Sequence, residues 1–162
     1  MKLSLKSAII ILLISLFSCG EVGTSYEQVT ALKTISERVQ DLNKSAADIK
    51  QIEEKAALSK QNNDFLEYEY PIREDEMYVV SYRFDDSGCF EIGVDVYFDK
   101  EKEAQNVLMG IIKDLTQNNS FNYVGEENNI HRWETANKKA LIELDFQHVE
   151  RGMIAITIFA NE

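Results

Sequence analysis

The chain has one proline, two cysteines and two histidines in 162 residues. Each scarcity excludes something. Two cysteines cannot build a disulfide scaffold. One proline and seven glycines exclude collagen-like and low-complexity sequence. Two histidines offer little for a zinc site, and neither HExxH nor HxxxH spacing occurs. There is no GxSxG, phosphate-loop or GxGxxG motif. Positive charge is also short: 17 Lys and Arg stand against 28 Asp and Glu, a formal net charge of −11. Phosphate repels such a chain, so nucleic acid is a poor partner, and a basic protein or a cation suits it better. What is present suffices for one domain, with 44% hydrophobic and 10% aromatic residues to offset chain entropy.

The longest uncharged apolar run is at the start. Lys2 and Lys6 precede Ala8 to Phe17 (AIIILLISLF), ten residues without charge. As a helix this run spans about 15 Å, half of a hydrocarbon core. A basic flank, a short apolar run and a small residue at its end describe a secretory signal peptide. The run closes as Leu16-Phe17-Ser18-Cys19, which resembles the lipobox of bacterial lipoproteins. Leu16 and Ser18 match that pattern, and Phe17 departs from it slightly. The resemblance implies cleavage before Cys19, lipidation of its sulfur with a diacylglyceryl group and acylation of the new amino group. Two or more acyl chains hold a protein on a membrane stably. Gly20 and Glu21 follow. The aspartate that would resemble an inner-membrane retention signal is absent, so the resemblance favours the outer membrane of the cell envelope, periplasmic or surface side open. Loss of residues 1–18 takes Lys2 and Lys6 with it and moves the formal charge from −11 to −13. No family resemblance extends into the remaining chain.

Residues 19–25 read as a short tether. Thr24 and Glu27 have capping-box spacing. From there Val29, Leu32, Ile35, Val39, Leu42, Ala46, Ile49, Ile52 and Ala56 recur at steps of three or four, which predicts a long amphipathic helix over 26–61. The mean step falls below a helical turn, so the stripe drifts. Either the helix supercoils against a partner or it breaks near Asn43, where Ser45 and Asp48 offer a second box.

The expected fold class is α+β: an antiparallel sheet with helices packed on one face, preceded by that long helix, with the α+β domain over 62–162. Pro71 would confine a strand over 65–72 to an edge. Tyr78 to Phe84 and Phe90 to Phe98 alternate around Asp85-Asp86-Ser87-Gly88, the mark of a hairpin with one wet face. Asp99 is placed to cap a helix carrying Ala104, Val107, Leu108, Ile111 and Leu115. Met153 to Ala160 is apolar on both sides and reads as a central strand.

Little of this carries chemistry. His131 and His148, with Glu143 or Asp145 added, are the raw material for a metal site or a small envelope enzyme. Cys89 falls on the side of Glu91 and Asp95, where carboxylates hold a thiol inactive. Asp85 to Gly88 resembles a calcium loop only in part, lacking alternate ligands and a distal glutamate. No cofactor is implied. The best surface is the wet sheet face of Glu91, Asp95 and Tyr97 with Arg83 alongside, and Gly93 leaves a gap there for a partner's side chain. The expectation is a non-enzymatic, membrane-anchored binding protein with a protein partner, in one version an immunity-type lipoprotein neutralising a basic toxin. The alternatives are the histidine-based factor and an oligomeric scaffold formed through the N-terminal helix.

Overall fold

Three capping boxes govern the N-terminal segment. In the computed structural model, which describes residues 24–161, Thr24, Thr34 and Ser45 each accept from the backbone N–H three residues on. The acids Glu27, Glu37 and Asp48 return the bond. Each box starts a helix, and three starts within 22 residues leave no room for a long one. The helices are α1 (Ser25–Leu32), α2 (Ile35–Val39) and α3 (Ala46–Ile52). Asn43 adopts φ +63° in the turn between the last two. The long helix over 26–61 is therefore absent, and the scaffold expected to form through it loses its basis. The drifting stripe belongs to three separate pieces that fold back onto one sheet. Val29, Leu42 and Ile49 are buried, whereas Ile52 is exposed. Residues 1–18 and Cys19 lie outside the described residues. The expected tether over 19–25 ends early, since α1 begins at Ser25, which is buried.

The fold class is corrected accordingly. Strands make up 43% and helices 31% of the structure, and the architecture is one eight-stranded antiparallel sheet with short helices. The strands are β1 (Leu58–Gln61), β2 (Phe65–Arg73), β3 (Glu76–Asp85), β4 (Gly88–Tyr97), β5 (Phe121–Glu127), β6 (Ile130–Thr135), β7 (Ala140–Asp145) and β8 (Met153–Ala160). Their order is β1-β2-β3-β4-β8-β7-β6-β5. The first four strands meander to the centre. Helix α4 (Glu101–Gln117) then carries the chain to the far edge, and the last four meander back until β8 pairs with β4.

Strand parity divides the sheet into two faces. Leu66, Tyr82, Ile92, Ile158, Ile142 and Trp133 point to one side and are buried. Helix α4 packs there through Ala104, Val107, Leu108, Ile111 and Leu115. Its N-cap is Lys100, with no side-chain cap, so Asp99 does not serve. On the other side the alternate residues are half-buried or exposed, and among the described residues the helices pack on the covered face instead.

Three details depart from simple alternation. Strand β1 pairs only with Leu66 to Tyr68. Pro71 therefore sits where β2 has one neighbour, in a strand that is not itself an edge. Between the pairs Arg83–Glu91 and Phe84–Cys89 the register skips Phe90. This bulge flips parity, turns Cys89 into the core and leaves Phe90 half-buried. A similar skip in β5 leaves Val124 exposed. Among the described residues no helix is long and apolar enough to cross a membrane.

Candidate functional site

The covered face contains an ion cluster where α2 and the end of α3 meet β2 and β3. Arg38 is 1% exposed. Its Nη1 donates to Glu53 Oε1 at 2.6 Å and to the Tyr82 hydroxyl, and its Nε donates to Tyr78 Oη at 3.2 Å. Tyr82 Oη donates to Glu53 Oε1 at 2.7 Å and Tyr70 Oη to Glu53 Oε2 at 2.5 Å. From the rim, Lys33 Nζ reaches both Asp41 at 2.8 Å and Glu53 at 2.9 Å, and Lys44 Nζ reaches Asp41 at 2.7 Å. Burial opposes ionisation of Glu53. Arg38 and the hydrogen bonds from Tyr70, Tyr82 and Lys33 outweigh it and bring the carboxyl down to about 2. Burial raises the Tyr82 and Tyr70 hydroxyls, so both remain donors. Each charge has a partner here, so the cluster works as a seat for the N-terminal segment and leaves no unpaired charge to attract a ligand. Backbone bonds extend the seat: Asn43 N–H donates to Cys89 O at 2.8 Å, and Cys89 N–H donates to Lys44 O at 2.9 Å.

The sequence reading overlooked this cluster. Its one visible signal is that Tyr68, Tyr70, Tyr78 and Tyr82 occupy core-facing strand positions, where a buried hydroxyl calls for a partner. Nothing in the sequence points to Arg38 as that partner.

The open face holds the residues expected to bind a partner. Arg83, Glu91, Asp95 and Tyr97 all lie on it. Arg83 and Glu91 are direct cross-strand partners, joined at 3.0 Å. Two other cations of this face are likewise occupied: Lys60 pairs with Glu67 at 2.8 Å and Arg132 with Glu143 at 2.7 Å. Asp95 is different. It stands between Val79 and Ala155 and has no cation partner among the described residues. Burial and the nearby Glu67 carboxylate raise its pKa. Glu69 and Asp145 share its row across the sheet, and Tyr97 beside it is 41% exposed. The expected gap at Gly93 is filled, because a Cβ there would lie 2.7 Å from Ser81 Oγ.

The histidines are not assembled as a metal site. Parity puts His131 on the covered side with Trp133, whereas Glu143 and Asp145 face the open side. His131 Nδ1 lies 3.0 Å from Tyr123 Oη and 3.6 Å from Glu126, and its ring stacks on Phe146 with centroids 5.0 Å apart. His148 is exposed beyond the end of β7. Among the described residues no group of three His, Cys, Asp or Glu is placed to hold a metal ion. Cys89 does not share a face with Glu91 and Asp95, since the bulge at Phe90 points it inward. Burial pushes its thiol up to about 12.

No protein-family model matches the chain, and no curated protein and no solved structure matches it.

Proposed function

We propose that this chain is a bacterial lipoprotein, anchored through Cys19 to the cell envelope, that acts as a non-enzymatic binding protein for a basic protein partner. The observation that carries the reading is the charge state of the open face. Lys60, Arg83 and Arg132 on it are already paired with neighbouring acids, and Asp95, half-buried beside exposed Tyr97, has no cation partner among the described residues. An arginine or lysine from a partner would give Asp95 the counter-charge it lacks and pack its stem or guanidinium on Tyr97. The formal charge of −11 steers a basic molecule toward it. An immunity-type protein that neutralises a basic toxin is one version of this reading. The anchor rests on the lipobox resemblance of Leu16 to Cys19.

Two experiments test it. Mass spectrometry of native protein should find a chain beginning at Cys19 with added acyl mass; an intact Met1 removes the anchor. A photo-crosslinking residue at Tyr97, in cells, should trap a basic envelope protein, and the same residue at Met109 on α4 should not. Both positions are exposed, 41% and 64%, so equal capture at both, or none at Tyr97, removes the binding surface.

A further inference from the structure

A recess on the margin of the covered face differs in character from the acidic sheet. It lies between α2, the turn after α4 and the turn between β6 and β7, and holds about 410 Å³, within the range of small-molecule sites. Its nine lining residues include no charged side chain, in a chain where 28% of residues are charged. The polar groups are carboxamides and hydroxyls, chiefly Gln40, Asn119, Ser120 and Asn137, over an apolar floor that includes Val39 and Phe121. The side chains of Gln40, Asn119 and Ser120 form no hydrogen bond to another described residue. A smaller cleft of about 190 Å³ adjoins it, sharing Ser36 and Phe121. Asn118 Nδ2 donates to Ser36 Oγ at 3.1 Å where the two meet.

The backbone of the walls is held in place by the fold's own hydrogen bonds. Arg38 ties α2 to the sheet from within, so Gln40, the C-cap residue of α2, follows a pinned helix. Ala136 N–H donates to Ser120 O at 2.8 Å and joins the two turns. Ser120 N–H is held by Asn118 Oδ1, and Lys139 N–H by Asn137 Oδ1. Such preorganisation lowers the ordering cost of binding.

We propose that this recess binds a neutral saccharide of one or two pyranose rings. Carboxamides and hydroxyls both donate and accept, as sugar hydroxyls do. An uncharged wall favours neither an anion nor a cation. The C–H face of a pyranose suits a floor of Val39 and Phe121. The site is separate from the open face and does not depend on the anchor or on the protein partner.

The test is titration of the isotope-labelled full chain in detergent, followed by NMR, with maltose, cellobiose and N,N′-diacetylchitobiose as probes and tetraglycine as the neutral peptide control. At least one sugar should saturate with Kd at or below about 1 mM. Its shifts should centre on Gln40, Asn119, Ser120 and Asn137. Gln40→Ala and Asn119→Ala together should weaken it about tenfold or more, at the level of two lost hydrogen bonds, with the rest of the spectrum unchanged. No saturable binding by any of the three sugars at about 20 mM, more than ten times that Kd, overturns the proposal. So does tetraglycine binding as tightly as the best sugar, or saturation with shifts elsewhere.

Discussion

The two faces of the sheet treat charge in opposite ways. On the covered face, Arg38, Asp41 and Glu53 are nearly inaccessible, yet each meets an opposite charge or a tyrosine hydroxyl. On the open face, Asp95 is only half-buried, yet it has no cation partner among the described residues. Burial alone therefore does not distinguish a structural charge from one available to a partner. The distinguishing property is whether the fold itself supplies the counter-charge. The buried cluster holds the N-terminal segment in register against β2 and β3, which sets both the shape of the covered face and the position of α2. The open face is left with an uncompensated carboxylate that a partner's cation would relieve.

Removing the central cation should break this contrast most severely. Arg38→Met leaves Glu53 and Asp41 buried with only the rim lysines as counter-charges. The expected loss is about 3–5 kcal/mol, a fall in melting temperature of about 10 °C or more, read by thermal denaturation. A loss smaller than about 1 kcal/mol would mean that the cluster does not hold the segment. The next test concerns the backbone seat. Gly88 has φ +115°, and a Cβ there would lie 2.5 Å from Asn43 O. Gly88→Ala should cost about 1–3 kcal/mol in a denaturant titration. A neutral outcome would show that the turn after Asn43 moves freely.

Acid should separate the faces by sign. Glu53 titrates below its ordinary value of 4.5, near 2. Its contribution to stability is complete above the unfolded value and is lost as pH falls through that window. Glu53→Gln should remove this part of the acid sensitivity. Asp95 shifts the other way. Its ionised form is disfavoured in the fold, so it costs stability at neutral pH and nothing below the ordinary value of 3.8. Asp95→Asn should therefore stabilise at pH 7 by less than about 1 kcal/mol, since solvent screens the group, and the gain should vanish at low pH. A destabilised Asp95→Asn would mean that the carboxylate has a partner within the fold. The smallest effect expected is at Cys89. With its thiol buried and held up to about 12, Cys89 of the native protein should not be alkylated by iodoacetamide at pH 8 in a peptide map, and rapid modification at Cys89 itself would place the thiol outside the core.

The parts of the fold legible in the sequence are those whose side chains alternate against a fully covered face. Tyr78 to Phe84 and Ile92 to Val96 read directly as neighbouring strands, and β8 reads as central from being apolar on both sides. The N-terminal segment is not legible in this way, because short helices and one long helix share the same local spacing. Thr34 and Glu37 carried the missing break signal, a capping box within the apolar stripe. Strand β1 is four residues, LSKQ, with neither a β-branched nor an aromatic side chain to announce it. The bulge at Phe90 leaves no local trace, so parity placed Cys89 on the wrong face. Of the open-face residues, Arg83, Glu91, Asp95 and Tyr97 were placed together by parity alone. That Arg83 is spent on Glu91 while Asp95 is unpaired depends on cross-strand neighbours that only the register reveals.

Charge reversal on the open face is the most direct measurement of the central claim. Once the protein crosslinked at Tyr97 is identified and purified, its affinity for the full chain should be compared across Asp95→Lys, Glu69→Lys and, on α4, Glu101→Lys. The account predicts that Asp95→Lys weakens binding about a hundredfold or more, in line with the cost of opposing a partner's cation with a like charge. Glu69→Lys should have a smaller effect in the same direction, and Glu101→Lys should leave the affinity within about twofold. Equal affinities for Asp95→Lys and the unmodified chain would contradict it.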